Sequence, residues 1–252
     1  MGVDKESGMM ELGERGRIGL ILPSVNTIAE PEIYSVLPEG VTAHTARMDL
    51  PVDISSEEGF MRMCDVGCSN GEPAARELAT AKVDILAFTF TAGSFYRGAG
   101  WDEEIARRME KAGGAPCIVT SSASVQALRQ MGLRKIGVGS PYAVANRLLK
   151  TYLEQRGMAV TRIEGLVLPT AVHVGRQPLL KFEELVRAVN TPEAEGIFIS
   201  CTNFATLPKI DALEKEIGKP VITANQATFW ATLRKMGVKD QWSGSGRLFR
   251  DF

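Results

Sequence analysis

The sequence predicts an α/β fold made of two Rossmann-like (flavodoxin-like) lobes, and three observations support this. Short β-branched runs alternate with helical patterns of about 10–15 residues, which is typical of βαβ units around parallel sheets. The same order of elements recurs in the second half of the chain. The length of 252 residues fits two modest lobes. We therefore expect two parallel sheets related by a pseudo-twofold axis, with the functional site in the cleft between the lobes.

The first half of the chain contains four short apolar runs that predict strands, at 17–22, 41–47, 83–90 and 116–120. Helical patterns predict helices over 57–79, 103–111 and 121–128. A loop at 91–98 is expected to join the third strand to the next helix. This alternation of strands and helices predicts a parallel sheet covered by helices.

The second half of the chain repeats the first. The run 134–141 repeats the first strand and its turn, 196–202 repeats 85–91, and 220–223 with the helix end 233–237 repeats 116–119 and 128–132. Self-similarity over this length is hard to obtain by chance. We predict a flexible N-terminus at 1–15, a first lobe of 16–120 plus 226–252, and a second lobe of 121–225.

The balance of charge argues against a polyanionic partner. The chain has 29 basic and 30 acidic residues and a formal charge of −1, and neither sign forms a long block. We therefore expect no nucleic acid and no membrane surface as partners. No apolar run reaches the roughly 18–20 residues of a membrane span, and the first residues lack the pattern of a secretory signal. A cytoplasmic protein with a small-molecule partner is expected, and a homo-oligomer is left open.

Cysteine and histidine usage predicts no metal site. The four cysteines contain no C-x-x-C motif, and the chain has two histidines, far apart in the sequence. Cys64 and Cys68 stand four residues apart on a predicted helix, where packing is the preferred interpretation. Gly137-Val138-Gly139 follows a strand as a nucleotide loop does, but it lacks the third glycine and Pro141 interrupts it. No cofactor is therefore predicted.

The segments that follow the strands carry the candidate site, because ligands of open parallel sheets bind beyond the carboxyl ends of the strands. These segments are 24–27, 91–97, 141–142, 170–175, 201–203 and 224–226. Most of their residues carry hydroxyl or amide groups, and helices are expected to begin just after them. Helix N-termini and backbone N–H groups can hold carboxylate oxygens without a lysine or arginine. The pattern therefore predicts a small carboxylic acid as ligand.

Cys201 is the candidate for proton transfer. It follows the last apolar residues of the predicted strand in 196–202, at the point where the chain enters the predicted cleft. Amide dipoles there are expected to lower the thiol pKa from about 8.5 toward neutrality, where a thiol both donates and accepts a proton. The alternative is a small buried apolar side chain, the commonest role of a free cysteine. The repeat makes Phe90 the counterpart of Cys201, which predicts protonation from one face beside an apolar wall.

These motifs resemble the Asp/Glu racemase superfamily, and within it the group of maleate isomerases and arylmalonate decarboxylases. The segments 19–27 and 225–228 look like the isomerases. The segments 91–98, 196–201 and 246–249 look more like the decarboxylases. The resemblance runs over nearly the whole chain. It implies a cofactor-free enzyme that acts on a small mono- or dicarboxylate.

The resemblance also implies roles for single residues. The substrate carboxylate would be bound by hydroxyl, amide and backbone groups at Asn26, Thr91, Ala92, Tyr142, Thr202 and Asn203, and Cys201 would be catalytic. Isomerases and racemases of the superfamily carry a second cysteine where this chain has Phe90, and the decarboxylases usually have glycine there. Ala92 stands where a serine is expected in the decarboxylases. Three hypotheses follow: decarboxylation of malonate-type acids, isomerisation or racemisation of a small acid, and a binding protein without catalysis.

Overall fold

The computed structural model describes residues 11–252, and these form two four-stranded parallel sheets. The first half of the chain contains β1 (Gly16–Pro23), α1 (Ala29–Tyr34), β2 (Val41–Met48), α2 (Glu57–Ser69), α3 (Gly71–Thr80), β3 (Ile85–Phe88), α4 (Thr91–Phe95), α5 (Trp101–Gly113), β4 (Cys117–Val119) and α6 (Thr120–Gln130). Its sheet has the strand order β2-β1-β3-β4. Most of the predicted flexible N-terminus, 1–10, lies outside the described residues.

The second half of the chain repeats this arrangement. It contains β5 (Lys135–Ser140), α7 (Asn146–Gln155), β6 (Ala159–Gly165), α8 (Ala171–Val174), α9 (Leu179–Val189), β7 (Gly196–Ile199), α10 (Ile210–Ile217), β8 (Val221–Thr223), α11 (Ala224–Lys235) and α12 (Arg247–Asp251). Short 3-10 turns lie at Ala143–Ala145 and Leu207–Lys209. The strand order β6-β5-β7-β8 matches that of the first sheet. The predicted α/β fold is therefore confirmed, while the exact lobe boundaries stay a prediction.

The central strands β3 and β7 are buried along their whole length. Parallel strands covered by helices on both faces read as continuous apolar runs rather than as alternating ones. Phe90 and Cys201 each stand two residues after the end of their strand, so the structure places them at equivalent positions. This equivalence is the geometric basis of the site described below.

Gly137 on β5 is a packing residue. A Cβ at this position would lie 2.0 Å from the carbonyl oxygen of Val189 at the end of α9. The glycine is therefore needed for close contact between helix and strand. This contact explains the Gly137-Val138-Gly139 pattern without a nucleotide.

Several predicted elements differ from the structure. The helix predicted over 57–79 is two helices that meet at Asn70, because Pro73 has no N–H to donate and its ring clashes with a continuing helix. The loop predicted at 91–98 begins with the one-turn helix α4, where the Ser94 hydroxyl donates to the Thr91 carbonyl (2.8 Å). Residues 171–174 and 224–226 are also helical. These turns close on local hydrogen bonds that the apolar pattern does not reveal.

Contacts between the two halves of the chain surround the cleft. The segment after β2 pairs with the segment after β6 through an antiparallel bridge between Asp53 and Thr170. The N–H of Ala171 donates to the carbonyl of Val52 (2.8 Å). Helices α6 and α11 pack against each other on another side. Within the described residues, no helix is long and apolar enough to cross a membrane.

A buried carboxylate, Asp102 at the start of α5, ties α5 to α7. It is 1% exposed and accepts hydrogen bonds from Ser122 (2.6 Å), from the Tyr152 hydroxyl (2.8 Å) and from the Arg156 guanidinium. Burial raises the pKa of Asp102, but these hydrogen bonds outweigh burial and leave its pKa below the ordinary value. The Asp102 carboxylate is therefore charged at neutral pH, and its hydrogen bonds hold the two halves of the chain together.

Candidate active site

One cavity lies between the carboxyl ends of the two sheets, and residues from both halves line it. They are Pro23, Val25, Asn26, Leu50, Met63, Phe90, Thr91, Ala92, Tyr142, Ala171, Cys201, Thr202 and Asn203. The set includes all eight residues that the sequence singled out for the site. The structure thus brings the eight residues together, and their individual chemical roles stay predictions.

The cavity also contains residues to which the sequence analysis gave no individual role, and these are Pro23, Val25, Leu50, Met63 and Ala171. Leu50 follows the carboxyl end of β2, so the rule that pointed to the other post-strand segments also applied to it. Ala171 lies in a candidate segment but carries no polar group to draw attention. Met63 lies on α2 and contacts the cavity only through tertiary packing, for which the sequence holds no local signal.

The cavity is small. About 20 Å³ is open to the centre of a water molecule. One water needs roughly 10–15 Å³ by this measure, so the cavity holds one or two waters. A diacid of three or four carbons needs more room, so its binding requires the walls to move apart. The segment that carries Leu50, held by the bridge between Asp53 and Thr170, closes one side.

Cys201 has an unusual backbone conformation. Its φ angle is +117°, in the region that favours glycine and that costs other residues about 1–3 kcal/mol. The side chain is 5% exposed, and its sulfur accepts a hydrogen bond from the N–H of Asn203 (3.3 Å). Strained backbone of this kind persists only where the surroundings hold it, and it is frequent at functional sites.

The pKa of the Cys201 thiol corrects the expectation from sequence. Burial raises the pKa of Cys201 to about 12, and hydrogen bonds from the Asn203 N–H and the Tyr142 hydroxyl counter burial only in part. The predicted shift toward neutrality is wrong because removal of water from the thiolate outweighs these two donors. Among the described residues, none that lines the cavity is cationic. The thiol is therefore protonated at neutral pH and is suited to donate a proton.

Phe90 occupies the position opposite Cys201 in the repeat, and two glycines make room for its ring. A Cβ on Gly67 of α2 would lie 2.7 Å from the ring, and one on Gly93 of α4 would lie 2.3 Å from it. The ring also packs on Phe88, with 6.2 Å between centroids. Helices α2 and α4 are thus shaped around this aromatic side chain, which forms the apolar wall of the cavity.

Thr91 carries a hydroxyl oxygen that is buried and has no hydrogen-bond partner within residues 11–252. The residue is 4% exposed and lines the cavity at the start of α4. An unpartnered buried hydroxyl costs about 1–3 kcal/mol, so such a group in a cavity points to a water or a ligand as its partner. Thr202 differs, since its hydroxyl donates to the carbonyl of Thr89 (2.9 Å) and accepts from Asn26 (3.2 Å).

The amide side chains of Asn26 and Asn203 are already engaged. The Asn26 oxygen accepts from the N–H groups of Ile28 (3.0 Å) and Ala29 (2.9 Å) at the start of α1. Asn203 accepts from the N–H of Thr27 (3.0 Å) and donates to the carbonyl of Ala171 (3.1 Å). Both residues therefore join loops of the two halves. Beyond its bond to Thr202, the Asn26 amide has a second N–H for which the described residues show no acceptor.

The remaining sequence candidates behave differently. Ala92 lines the cavity without a polar side chain, so the donor it offers is its backbone N–H in the first turn of α4. His173 is exposed, and its ring nitrogen pairs with Thr170 (2.8 Å). Arg97 pairs with Asp65 (2.7 Å) on the surface. Neither His173 nor Arg97 lines the cavity.

The strain at Cys201 leads to a prediction on stability. We expect Cys201→Gly to unfold at higher urea concentration than Cys201→Ala, with about 1 kcal/mol more free energy of unfolding, because glycine accepts the positive φ. At ordinary positions glycine is less stable than alanine by about 0.5–1 kcal/mol. The neighbouring pair Ser200→Gly and Ser200→Ala serves as the control and should show this usual order. If the alanine variant is more stable than the glycine variant at both positions, strain at Cys201 is excluded.

Comparison with known proteins places the chain among a small group of enzymes. A sequence model described as arylmalonate decarboxylase matches residues 18–249. A maleate isomerase from Geobacillus stearothermophilus is 28% identical over 248 residues, which cover 92% of this chain and 96% of that protein. An arylmalonate decarboxylase from Bordetella bronchiseptica is 30% identical over 179 residues, which cover 69% of this chain and 75% of that protein.

A similar fold is found among solved structures. The crystal structure of a cysteine-to-alanine variant of the maleate isomerase Iso from Pseudomonas putida S16, with maleate, superposes with a TM-score of 0.85 at 25% identity. The match covers 93% of this chain and 97% of that one. The two-lobed arrangement of parallel sheets is thus shared over nearly the full length.

Proposed function

The chain belongs to the arylmalonate decarboxylase family, a family of enzymes, and on this premise we propose that it is a cofactor-independent decarboxylase of malonate-type dicarboxylic acids. Cys201 would deliver a proton to one face of the enediolate that decarboxylation leaves. One observation carries the proposal. Among the described residues that line the cavity, Cys201 is the one thiol, and the equivalent position of the other lobe holds Phe90.

Proton delivery from one face needs a single acid. The Cys201 thiol is that acid, because burial raises its pKa to about 12 and keeps it protonated. A reaction that uses both faces of a carbon needs a second acid or nucleophile on the opposite side, where the ring of Phe90 offers neither. Cys64, Cys68 and Cys117 are buried elsewhere and do not line the cavity.

The proposed chemistry follows from the cavity having one apolar side and one side with hydrogen-bond donors. One carboxylate of the diacid would lie against the apolar side chains of Leu50 and Met63, where loss of hydration favours its departure as carbon dioxide. The carbon–carbon bond breaks, and its electron pair forms an enediolate with the second carboxylate. Donors from Thr91 and backbone N–H groups would stabilise that charge, an effect worth several kcal/mol when the donors are preorganised. The Tyr142 hydroxyl would join them by turning from the Cys201 sulfur toward the substrate. The α carbon then takes the proton of Cys201, and solvent reprotonates the thiolate.

The similarity to maleate isomerases supports a second candidate, cis–trans isomerisation of a small unsaturated diacid. The matched isomerase covers 92% of this chain, whereas the matched decarboxylase covers 69%. The related crystal structure with maleate also supports a small dicarboxylate as ligand. Isomerisation in this chain would need a partner other than a cysteine at position 90. Racemisation of a small acid meets the same requirement.

A panel of acids in heavy water separates the candidates. The purified protein is incubated with malonate, methylmalonate, phenylmalonate and maleate, and products are followed by NMR and by release of carbon dioxide. We expect carbon dioxide from a malonate, with one deuterium from the solvent at the α carbon of the product. For methylmalonate or phenylmalonate this carbon becomes chiral, and a single enantiomer is expected. Intact malonates with conversion of maleate to fumarate would overturn the proposal in favour of isomerisation. Ligand-induced thermal stabilisation with no turnover would indicate a binding protein.

A further inference from the structure

A buried carboxylate outside the cavity, Glu32 on α1, binds the segment that carries Cys201. Glu32 is 7% exposed. Its Oε1 accepts hydrogen bonds from the backbone N–H of Thr206 and from that of Leu207 (2.8 Å). Its Oε2 accepts from the side-chain amide of Asn225 (2.7 Å). All three donors belong to the second half of the chain, so this carboxylate spans the two halves.

Asn225 extends this contact toward the thiol. The same amide nitrogen that donates to Glu32 also donates to the carbonyl oxygen of Thr202 (3.1 Å). Thr202 follows Cys201 directly, so two hydrogen bonds connect the Glu32 carboxylate to the backbone carbonyl of the residue after the reacting one. The Thr206 hydroxyl adds a bond to Thr223 (3.1 Å), the residue before α11.

A charged group is a costly way to hold a loop. Removing a carboxylate from water costs several kcal/mol, which is offset only when the group is fully hydrogen-bonded. Burial raises the pKa of Glu32 above its ordinary value, and the hydrogen bonds from Thr206, Asn225 and Leu207, which favour the ionised form, counter burial only in part. Charge-assisted bonds are about twice as strong as neutral ones, so the arrangement holds the loop more firmly than neutral side chains would.

The strained backbone of Cys201 requires contacts of this kind to keep its conformation. A φ of +117° at a non-glycine residue persists only when neighbouring contacts determine it. The segment after Cys201 is held at Thr202 by Asn225 and at residues 206–207 by Glu32. Without these contacts the segment is free to rotate Cys201 toward an ordinary φ, and the thiol moves with it.

We propose that Glu32 is a positioning residue that acts through Asn225 and the N–H groups of residues 206 and 207 to hold the Cys201 thiol in the cavity. The proposal rests on the proposed function only in taking Cys201 as the reacting group. Glu32 itself touches no substrate. Its loss changes where the thiol points and leaves the composition of the cavity wall unchanged.

The test uses Glu32→Gln and Asn225→Ala, with Asp102→Asn as the matched control. Asp102 is likewise a buried carboxylate that joins the two halves, but it has no bond to residues 201–207. Alkylation of Cys201 by iodoacetamide is followed by peptide mass spectrometry at neutral pH, and kcat and KM are measured on the substrate found active. Stability is recorded for each variant.

We expect the Glu32 and Asn225 variants to lower kcat by roughly 10–100-fold with KM within about threefold, as misplacement of a reacting group by about 1 Å does. Alkylation of Cys201 should accelerate about tenfold or more, since a relaxed loop uncovers the thiol. Asp102→Asn should lose thermal stability but keep both rates within about twofold.

Rates in the Glu32 and Asn225 variants that stay within the range of the Asp102 control would overturn the proposal. If Glu32→Gln does not fold, Asn225→Ala carries the test, because it leaves the Glu32 carboxylate bound to the N–H groups of residues 206 and 207. If the unmodified protein turns over none of the acids, the proposed function fails. The alkylation rate of Cys201 in the variants still tests whether Glu32 positions the thiol.

Discussion

Replacing Cys201 with serine is expected to reduce turnover about 10³-fold or more while the fold is kept. A hydroxyl is a much weaker acid than a thiol, so Cys201→Ser fills the same space but does not protonate the enediolate. The cavity offers no second thiol among the described residues that line it. Initial rates on the active substrate, with circular dichroism and thermal unfolding of each variant, check the result.

Cys117→Ser is the matched control for this substitution. Cys117 is also a buried free cysteine, but it lies on β4 and not in the cavity. We expect it to lower stability, because a hydroxyl replaces an apolar thiol, and to leave kcat within about twofold. Turnover of Cys201→Ser close to that of this control would exclude Cys201 as the proton donor.

The same thiol gives a prediction on pH. Because burial raises the pKa of Cys201 to about 12, the folded protein holds this proton throughout the neutral and mildly alkaline range. Alkylation of Cys201 in the ligand-free protein should therefore stay slow from about pH 7 to pH 10 and rise only above, whereas an ordinary thiol ionises near pH 8.5. Half-maximal alkylation near pH 8.5 or below would contradict the stated cause.

Replacing Thr91 with valine is expected to separate stability from activity. The Thr91 hydroxyl is buried without a partner, so Thr91→Val removes an unsatisfied group and should raise the free energy of unfolding by about 1 kcal/mol. The same change removes a donor to the developing enediolate, which should lower kcat about 10²-fold. Urea unfolding and steady-state kinetics on the same preparation measure both effects.

Thr232→Val is the control, because the hydroxyl of Thr232 has a hydrogen-bond partner. The Thr232 hydroxyl is also buried but donates to the carbonyl of Thr228 (2.8 Å) within α11, away from the cavity. Its loss should cost about 1 kcal/mol of stability and leave kcat within about twofold. If Thr91→Val loses stability as Thr232→Val does and keeps its turnover, the hydroxyl of Thr91 has no ligand.

Much of the site could be predicted because its positions follow from strand ends. The runs 85–88 and 196–199 are apolar along their whole length, so their ends are visible in the sequence, and Phe90 and Cys201 stand at the same distance beyond them. Parallel strands deliver these ends to one edge of each sheet. The internal repeat then predicts that the two edges face each other, so that Asn26, Tyr142 and their neighbours are expected in one cleft.

The residues that were missed depend on contacts between distant segments. Met63 reaches the cavity from a helix face, and Glu32 binds donors more than 170 positions away in the chain. The direction of the Cys201 pKa shift was also wrong in the sequence prediction. It depends on how much water the enclosing residues exclude, and no local pattern encodes that quantity.

The sequence by itself determined the α/β class, the repeat, and the pairing of one thiol with one aromatic residue, because strand periodicity and spacing along the chain are local properties. The tertiary structure decided how small the cavity is, that its thiol is protonated, and that the Thr91 hydroxyl is free while those of its neighbours are engaged. Burial and hydrogen bonding of a group depend on every segment that packs around it, and those segments come together only in the fold.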